Sequence, residues 1–390
     1  MDIDLGPLAD ALADDGLDGH LLDADSETAD QRYLSGFDAP DPFVTLYTPE
    51  ATVLLVSSME YGRARSDSRA DEVRRLSDYD YRELVDEYGP NEGRVRAIAA
   101  FLDEFDVEAV SVNRRFPLAT ADGVRELGVA VNPDFSDVIE KTRARKTETE
   151  IASIREAQRA NEAAMATAER LVAEATVEDG ILHHEGEPLT SEFVRRAIER
   201  TLLDHGCGLD ETIVAAGTDG ANPHDRGSGP IRVDEPIIVD IFPRDKTTKY
   251  HADMTRTFLR GTPSETVAEF YELTQEAKRA ALETVEPGVT GEAVHEAVCD
   301  VYEEAGYPTL RTDDGTDRGF IHSTGHGVGL EVHERPRVAR TGEELEPGHV
   351  ITIEPGLYDP DVGGVRIEDL VVVTEDGYEN LTEYDESLVV

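Results

Sequence analysis

The chain has 390 residues with 84 acidic and 37 basic side chains, and its net charge is -47. This length favours two domains over a single core, and this charge excludes nucleic acid as a partner because phosphate would be repelled. The sequence contains no membrane-length apolar run and no basic, apolar leader, so we expect a cytoplasmic protein that binds no membrane. The two cysteines, Cys207 and Cys299, lack metal-ligand spacing and suit a reducing compartment.

Lysine is scarce among the basic residues: only Lys141, Lys146, Lys246, Lys249 and Lys278 occur. The acidic residues are spread along the chain and do not form a tail. Such carboxylates hold water and ions where salt screens their repulsion, over about 3 Å at 1 M. An acidic protein from a mesophile is the alternative. The scarcity of lysine favours an organism that accumulates salt, and we expect a halophilic archaeon as the source.

The first 140 residues predict an α/β domain. Helical spacing of apolar residues occurs at 5–16 and 95–105. Apolar runs that are typical of strands occur at 20–24, 43–50, 51–58 and 109–113. This half contains no close cluster of histidine, cysteine and acidic residues, so no site is predicted in it.

A second domain is predicted over residues 141–390. From Glu148 onwards the sequence is rich in helix formers, with Ile151, Ile154 and Ala157 at helical spacing, which predicts a long helix. Further helices, which alternate with strands, are predicted at 191–206, 265–285 and 291–306. Several of these strands carry one acidic residue in an otherwise apolar run.

Three acidic residues lie inside apolar strands: Asp240 in PIIVDIF, Glu354 in HVITIEPG and Glu368 in GVRIEDLVVV. An unpaired carboxylate buried there would cost several kcal/mol or lose its charge. A single such residue would be interpreted as a satisfied core carboxylate or as a strand edge that faces solvent. Three of them, together with a cluster of histidines at 322–333, favour a metal site.

The spacing of the acidic residues indicates two hairpins. Asp240 and Asp253 are separated by a turn-like stretch. If they pair directly in an antiparallel ladder, a loop of two or four residues centred on 246–247 puts both on one face. Glu354 and Glu368 likewise flank the turn-like DPDVGG. Two such hairpins present four carboxylates to one oxygen-rich site, which one imidazole would complete.

Four carboxylates and one imidazole are too many ligands for a tetrahedral structural zinc site. They suit two divalent ions about 3.5–4 Å apart that share bridging carboxylates. Mixed oxygen and nitrogen ligands favour manganese, with cobalt, zinc and iron as alternatives. A dinuclear site with a bridging hydroxide is hydrolytic, since metal binding lowers the pKa of water towards about 7.

Five motifs in the second half resemble, in order, those of the pita-bread metallopeptidases, which include prolidase, X-Pro aminopeptidase and, more distantly, methionine aminopeptidase. The motifs are PIIVD, HADMTRTF, HSTGHGVGLEVHERP, ITIEPGLY and GGVRIED, and the match covers residues 147–390. Residues 1–140, with YLSGFDAP, resemble the creatinase-type N-terminal domain of two-domain members. The resemblance implies an α+β fold, in which a creatinase-type α/β domain (1–140) precedes a pita-bread catalytic domain (141–390).

The resemblance also implies which residues bind metal. Asp253 and Glu368 would bridge the two ions, and Glu354 would also handle the proton of the nucleophilic water. Arg366 would pair with a site carboxylate and orient it. The implied ligands are Asp240, Asp253, His326, Glu354 and Glu368.

Other residues are implied to serve the substrate. His224 resembles a histidine that contacts the substrate, His333 resembles one that steadies the tetrahedral intermediate, and His322 resembles one that supports the metal site from behind. In prolidases an arginine that matches Arg337 would grip the free carboxylate of an X-Pro dipeptide. The alternative for Arg337 is an ion pair with one of the many surface acids.

The sequence departs from the family pattern at Phe242 and Pro243. The family has a small residue there and a shorter turn between the two aspartates. The two extra residues keep both aspartates on one face, whereas one extra residue would not. Because Phe242 is bulky, the resemblance does not determine the shape of the substrate pocket.

The function implied is hydrolysis of the X-Pro peptide bond through a metal-bridging hydroxide, by an X-Pro dipeptidase (prolidase) or an X-Pro aminopeptidase. The substrates would be X-Pro dipeptides or short X-Pro peptides, and the two-domain relatives imply a homodimer. The alternatives are a non-catalytic binding protein on the same fold and a metal-free, creatinase-like amidinohydrolase. The five intact ligand positions argue against both.

Overall fold

The computed structural model describes residues 3–209 and 211–390. The chain divides into two compact units, one that ends at Arg143 and one that begins at Ala144. Both units combine helices with strands, which confirms the predicted α+β class. Within the described residues, none of the helices is long and apolar enough to span a membrane.

The N-terminal unit is built from six strands and seven α-helices among its described residues. The strands are β1 (Gly19–Ala24), β2 (Phe43–Tyr47), β3 (Thr52–Val56), β4 (Glu72–Arg75), β5 (Ala109–Val112) and β6 (Ala130–Pro133). The helices are α1 (Gly6–Asp15), α2 (Ala29–Ser35), α3 (Tyr61–Asp67), α4 (Tyr81–Tyr88), α5 (Pro90–Glu104), α6 (Leu118–Glu126) and α7 (Val138–Ala144). The strands and helices predicted in this half are all present.

One mixed sheet, in the order β4-β3-β2-β1-β5-β6, forms the centre of this unit. Every residue of β2 and β3 is buried, as expected for strands that are covered on both faces. On α5 the apolar residues Val95, Ile98, Phe101 and Leu102 recur at helical spacing and pack into the same core. The sheet and this helix therefore define the hydrophobic core of the unit.

The C-terminal unit contains the strands and helices that carry the predicted site. The helices are α8 (Glu148–Ala173), α9 (Ser191–Asp204), α10 (Glu265–Thr284) and α11 (Gly291–Glu304). The first strands are β7 (Thr176–Glu178), β8 (Ile181–His184), β9 (Glu187–Pro188), β10 (Cys207–Gly208), β11 (Thr212–Ala216), β12 (Ile237–Ile241), β13 (Arg244–Asp245) and β14 (Met254–Phe258). The remaining strands are β15 (Gly325–Gly327), β16 (Glu334–Val338), β17 (Val350–Ile353), β18 (Gly356–Asp359), β19 (Gly363–Arg366), β20 (Asp369–Thr374) and β21 (Gly377–Asn380).

Helix α8 is the predicted long helix, and local interactions explain where it begins. The Thr147 hydroxyl accepts a hydrogen bond from the Glu150 N–H, and the Glu150 carboxylate accepts one from the Thr147 N–H at 2.8 Å. Ile151 and Ile154 then begin a buried apolar stripe. The helix therefore has a capped start and one face fixed in the core.

Two sheets and one hairpin position the predicted site residues. Strands β11, β12 and β14 form a three-stranded sheet, β16-β15-β17-β20-β21 form a five-stranded sheet, and β18 pairs with β19. One hydrophobic cluster joins α8 and α9 to the three-stranded sheet, and a second joins α10 and α11 to the five-stranded sheet. The strands that carry the site therefore have buried, well-anchored backbones.

Candidate active site

Asp240 lies on β12, and Asp253 directly precedes β14, the antiparallel neighbour of β12. In this ladder Asp240 pairs with Thr255, so the predicted direct pairing of the two aspartates is wrong. The register differs from the prediction by two residues. Because side chains alternate with a period of two, this difference still leaves both carboxylates on one face of the sheet.

The turn of this hairpin explains the register. The Asp245 N–H donates to the Tyr250 carbonyl oxygen at 2.9 Å, which leaves 246–249 as a four-residue loop. The Asp245 carboxylate accepts hydrogen bonds from the N–H groups of Thr247 and Thr248, at 2.9 and 2.6 Å. This local cap places the loop one residue further along the chain than predicted.

Phe242 lies opposite Asp253 when the register of β12 and β14 is continued, and its side chain is half-buried. Because alternate residues share a face, the ring is on the face that carries Asp240. The departure from the family pattern therefore lies on the same face of the sheet as the predicted ligands.

Glu354 and Glu368 lie opposite each other at the junction of two ladders. The last pair of the β17–β20 ladder and the first pair of the β18–β19 ladder share one register, and Glu354 and Glu368 stand between them. Their N–H groups donate to the carbonyl oxygens of Thr324 and Thr255, at 2.8 and 3.0 Å. The two acids thus flank the DPDVGG turn with strands on either side.

His326 lies on β15 next to the carboxylates. Its Nε2 atom is 3.3 Å from Oε1 of Glu354 and 3.7 Å from Oδ2 of Asp253. Its Nδ1–H donates to the Gly327 carbonyl oxygen at 3.2 Å, which leaves the Nε2 lone pair directed at the carboxylates. Burial, and then the charge of His333, lowers the pKa of His326 to about 3. The imidazole is therefore neutral and able to bind a metal ion.

The donor atoms of this cluster fit a bound metal. A ligand atom from each of Asp253, His326 and Glu368 lies within 4.8 Å of the others. Within the described chain, Oδ1 of Asp240 and Oε1 of Glu368 are buried and accept no hydrogen bond. Buried anionic oxygens without a donor are costly, and a cation removes that cost. Oxygen ligands with one imidazole suit manganese, iron, cobalt or zinc.

Burial and mutual repulsion shift the pKa values of the carboxyl groups. Burial, and then the charges of Glu368, Asp240 and Glu354, raises the pKa of Asp253 well above its usual value. The pKa of Glu368 is raised in the same way, by burial and by the charges of Glu354 and Asp240. Burial raises the pKa of Glu354 to about 8, although Arg366 opposes the shift. The cluster therefore retains protons that a divalent cation would displace.

Arg366 links Asp240 to a buried chain of hydrogen bonds. Its Nη2–H donates to Oδ2 of Asp240 at 2.6 Å, and its Nη1–H donates to the Tyr358 hydroxyl at 2.9 Å. That hydroxyl donates to Nε2 of His322 at 2.9 Å, while the Nδ1–H of His322 donates to the Ser323 carbonyl oxygen at 2.7 Å. Burial, and then the charge of Arg366, lowers the pKa of His322 to about 3, so this imidazole is neutral. This series of hydrogen bonds fixes the position of the Asp240 carboxylate through Arg366.

Two residues of this network, Thr255 and Tyr358, are missed by the sequence analysis. The Thr255 hydroxyl donates to Oε2 of Glu368 at 2.7 Å and accepts from the Nε–H of Arg366 at 3.1 Å. Strand alternation is a signal for Thr255, because it lies two positions after Asp253 on the same face. Tyr358 is the last residue of the ITIEPGLY motif, but no role is predicted for it from the sequence.

The predicted substrate residues His224, His333 and Arg337 are exposed. The ring centroid of His333 lies 4.2 Å from that of His326, and Arg337 pairs with His326 in the β15–β16 ladder. Burial lowers the pKa of His333; the charge of Asp240 opposes this shift, and the charges of His224 and Arg337 add to it. Among the described residues, no carboxylate lies within 4.0 Å of the Arg337 guanidinium.

Comparison with known proteins extends over nearly the whole chain. Residues 152–375 match the model of metallopeptidase family M24, and residues 5–145 match that of the creatinase/prolidase N-terminal domain. An Xaa-Pro dipeptidase of Pyrococcus horikoshii is 30% identical over 362 residues, which are 92% of this chain and 91% of that protein.

Solved structures give the same result for the fold. The Xaa-Pro dipeptidase from Bacillus anthracis has a TM-score of 0.83 at 25% identity and covers 99% of both chains. The X-Pro aminopeptidase from Thermotoga maritima has a TM-score of 0.80 at 26% identity and covers 96% of this chain and 98% of that one. The predicted pita-bread domain, preceded by a creatinase-type domain, is thereby confirmed. On these grounds the chain belongs to metallopeptidase family M24.

Proposed function

We propose that this protein is a dinuclear metallopeptidase that hydrolyses the X-Pro peptide bond. The observation that carries the proposal is the buried carboxylate and imidazole cluster, in which two carboxylate oxygens lack a hydrogen-bond donor. Membership of a metallopeptidase family supports the use of divalent metal. The relatives described above, an Xaa-Pro dipeptidase and an X-Pro aminopeptidase, support X-Pro peptides as the substrate. A non-catalytic binding protein or a metal-free amidinohydrolase would not need this buried acidic cluster.

The metal ligands in this proposal are Asp240, Asp253, His326, Glu354 and Glu368, and the ions are two Mn²⁺, with cobalt, zinc or iron as alternatives. Asp253 and Glu368 would bridge the ions. The short distance between Nε2 of His326 and Oε1 of Glu354 supports a shared ion for these two. When bound, the ions supply a water of lowered pKa as a nucleophile at neutral pH and polarise the scissile carbonyl.

The protein's own groups would move protons and hold the substrate. Glu354 would take a proton from the attacking water and deliver it to the departing proline nitrogen. An N–H of His333 would hydrogen-bond the carbonyl oxygen as negative charge develops on it, and His224 would contact the bound peptide. His322 and Arg366, joined through Tyr358, would keep the Asp240 carboxylate in place.

Arg337 favours a dipeptidase over an aminopeptidase in this proposal. Its exposed guanidinium has no carboxylate partner in the described chain, although 84 acids are available. It pairs with His326 across the ladder, so it stands at the edge of the cluster. A free guanidinium there can bind the C-terminal carboxylate of a dipeptide with two hydrogen bonds. A longer peptide continues past proline and cannot offer that carboxylate.

The test compares kcat/KM for Leu-Pro and Leu-Pro-Ala, in the wild type and in Arg337→Ala. We expect the substitution to cost roughly 1.5–3 kcal/mol on Leu-Pro only, as for a hydrogen bond to a charged group. The matched control is Arg340→Ala, an exposed arginine three positions further along the chain. An equal loss on both peptides, or a wild-type preference for the tripeptide, would assign the protein as an aminopeptidase instead.

We also propose the domain limits 1–140 and 141–390. The family matches at 5–145 and 152–375 and the division of the chain after Arg143 support this boundary. Limited proteolysis should cut first near residue 140, and a first cut deep inside either range would contradict the boundary.

The proposed setting is the cytoplasm of a halophilic archaeon, with the protein as a homodimer. Cys207 and Cys299 are both free thiols, which supports a reducing compartment. The dimer rests on resemblance to two-domain relatives. Light scattering in high salt should give twice the chain mass, and a monomer at micromolar concentration would refute the dimer. The partners are X-Pro dipeptides or short X-Pro peptides, and neither nucleic acid nor membrane is proposed.

A further inference from the structure

Lys146 has a fully buried side chain in a chain that uses only five lysines among 37 basic residues. Its Nζ atom lies 2.6 Å from Oε1 of Glu334, and the two side chains are 0% and 1% exposed. A buried carboxylate without a partner would lose its charge or destabilise the fold. The ammonium therefore compensates the negative charge of the buried Glu334 carboxylate.

The backbone is folded closely around the Glu334 carboxylate. A Cβ atom at Gly329 would lie 2.0 Å from Oε1 of Glu334, so only glycine leaves room for the carboxylate there. The Gly329 carbonyl oxygen accepts a hydrogen bond from the His251 N–H at 2.8 Å, which ties this segment to the Asp253 strand. The segment from Gly329 to Glu334 is therefore shaped around one buried ion pair.

Glu334 directly follows His333, the residue proposed to hydrogen-bond the reacting carbonyl. The His333 ring is exposed and lies 4.2 Å, centroid to centroid, from the ring of His326. Among the described residues, none makes a hydrogen bond with the His333 side chain, so its direction follows from the backbone next to it. What fixes Glu334 therefore fixes where the imidazole of His333 points.

The backbone at Lys146 is held in place by its neighbours. Its N–H donates to the Gly348 carbonyl oxygen at 2.9 Å, and it directly precedes Thr147, the capping residue of the 26-residue helix α8. The pair thus joins the start of a long, anchored helix to the segment that carries His333. Lys278 makes a comparable buried pair with Asp369 at 2.5 Å, but that pair is not adjacent in sequence to a residue proposed to contact the substrate.

We propose that Lys146 is a positioning residue for His333. The buried Lys146–Glu334 pair sets the backbone at residue 333 and thereby holds the imidazole over His326, where the carbonyl of the substrate would lie. Lys146 does not touch the substrate. The inference rests on the proposed function for its kinetic test but not for its spectroscopic one.

The competing explanation is that the pair serves stability alone. The double variant Lys146→Met/Glu334→Gln separates the two, because it removes both charges while keeping both shapes. We expect Lys146→Met alone to lower the Tm, because it removes the ammonium from beside a buried carboxylate. The double variant should recover most of that Tm, while kcat on Leu-Pro remains about tenfold to a hundredfold below wild type. KM and the number of bound metal ions should stay near the wild-type values.

Arg94→Met in the N-terminal unit is the matched control. It removes the charged partner of another buried carboxylate, Asp23, which accepts from both Nη groups of Arg94 at 2.7 and 2.6 Å and also from the Thr120 hydroxyl at 2.9 Å. This variant should lower the Tm without changing kcat per folded enzyme. A double variant at Lys146 and Glu334 that behaves in the same way, with wild-type kcat, would overturn the inference.

A readout that does not depend on turnover is the NMR spectrum of ¹⁵N-labelled histidines in the metal-free protein. The His333 signals, assigned with His333→Ala, should shift in the double variant while those of the exposed His205 remain in place. Glu334→Gln alone provides the same readout if the double variant does not fold. Unchanged His333 signals would refute the positioning role. Failure of the wild type to hydrolyse any X-Pro peptide would instead refute the proposed function.

Discussion

Glu368 is held at one oxygen and unsatisfied at the other, since Thr255 donates to Oε2 while Oε1 has no donor in the described chain. Glu368→Ala removes a proposed bridging ligand and leaves the cluster with an unbalanced charge. We expect it to lose at least one bound ion and at least about a hundredfold in kcat. Isothermal titration with Mn²⁺ and turnover of Leu-Pro measure the two effects. Glu375→Ala, an exposed acid one position beyond β20, is the control.

Full turnover by Glu368→Ala with two ions still bound would contradict this role. Loss of turnover in Glu375→Ala as well would show that the readout reports general damage and not the ligand.

Single residues also show what the sequence can reveal. Asp240, Glu354 and Glu368 stand out because apolar neighbours make an acid costly unless something binds it. Tyr358 and Thr255 are equally close to the chemistry, yet an aromatic or a hydroxyl residue on a buried strand has ordinary structural explanations. The role of Lys146 cannot be identified from the sequence for another reason: Glu334, with which it pairs, is 188 positions away in the chain.

At the scale of elements, strand β1 carries a buried titratable group. The His20 side chain has no exposed surface, and neither ring nitrogen has a hydrogen-bond partner in the described chain. Burial lowers the pKa of His20 to about 4, although Asp30 and Asp134 oppose the shift. The folded protein keeps His20 neutral, whereas the unfolded chain binds a proton below about pH 6.5. Its contribution to stability is therefore present above about pH 6.5 and is lost as the pH falls towards 4, by about 3 kcal/mol in total.

His20→Leu removes this titration. Between pH 7 and pH 5 the free energy of unfolding of the variant should fall by about 2 kcal/mol less than that of the wild type, because only the wild type loses the His20 contribution. Thermal unfolding at constant molar salt measures the difference, with the exposed His205→Gln as the control. Parallel pH curves for the wild type and His20→Leu would contradict the prediction.

The hairpin between β12 and β14 shows that the sequence predicts which face a side chain occupies but not the register of the strands. The alternation of side chains predicts that Asp240 and Asp253 share a face, and this holds. The pairing partner of Asp240 depends on the turn, where Asp245 caps the N–H groups of residues 247 and 248. Several loop lengths satisfy the alternation, so only the local hydrogen bonds decide among them. Tertiary contacts also explain the glycine before His326, because a Cβ atom at Gly325 would lie 2.0 Å from the Thr352 carbonyl oxygen.

At the scale of the whole molecule, the net negative charge determines how stability depends on salt. With a net charge of -47, repulsion between carboxylates opposes the compact state when salt is low. At 1 M salt the screening length falls to about 3 Å, so most of this repulsion is removed. We expect both the Tm and the activity to rise from dilute buffer to molar salt.

Thermal unfolding in a series of KCl and NaCl concentrations measures the salt effect. Similar curves in the two salts are expected if screening is the cause. A midpoint that is flat or falls over this range would contradict the halophilic assignment, while leaving the site chemistry untouched.

The domain order and the fold class follow from the sequence because the motif order and the helix and strand periods agree along the whole chain. Electrostatics at this scale is also visible from composition. The sequence also predicts that the acidic residues and one histidine form a single cluster, but not the hydrogen bonds that assemble it, since these join residues more than a hundred positions apart.

The central claim is that one buried cluster holds two divalent ions that are needed for X-Pro hydrolysis. The most direct measurement is a titration of the chelated protein with Mn²⁺ in molar salt, with bound metal and Leu-Pro turnover recorded on the same samples. The account predicts no turnover in the metal-free protein, saturation at about two ions per chain, and turnover that rises with occupancy. Full turnover in the chelated protein, or saturation without any hydrolysis of an X-Pro bond, would contradict it.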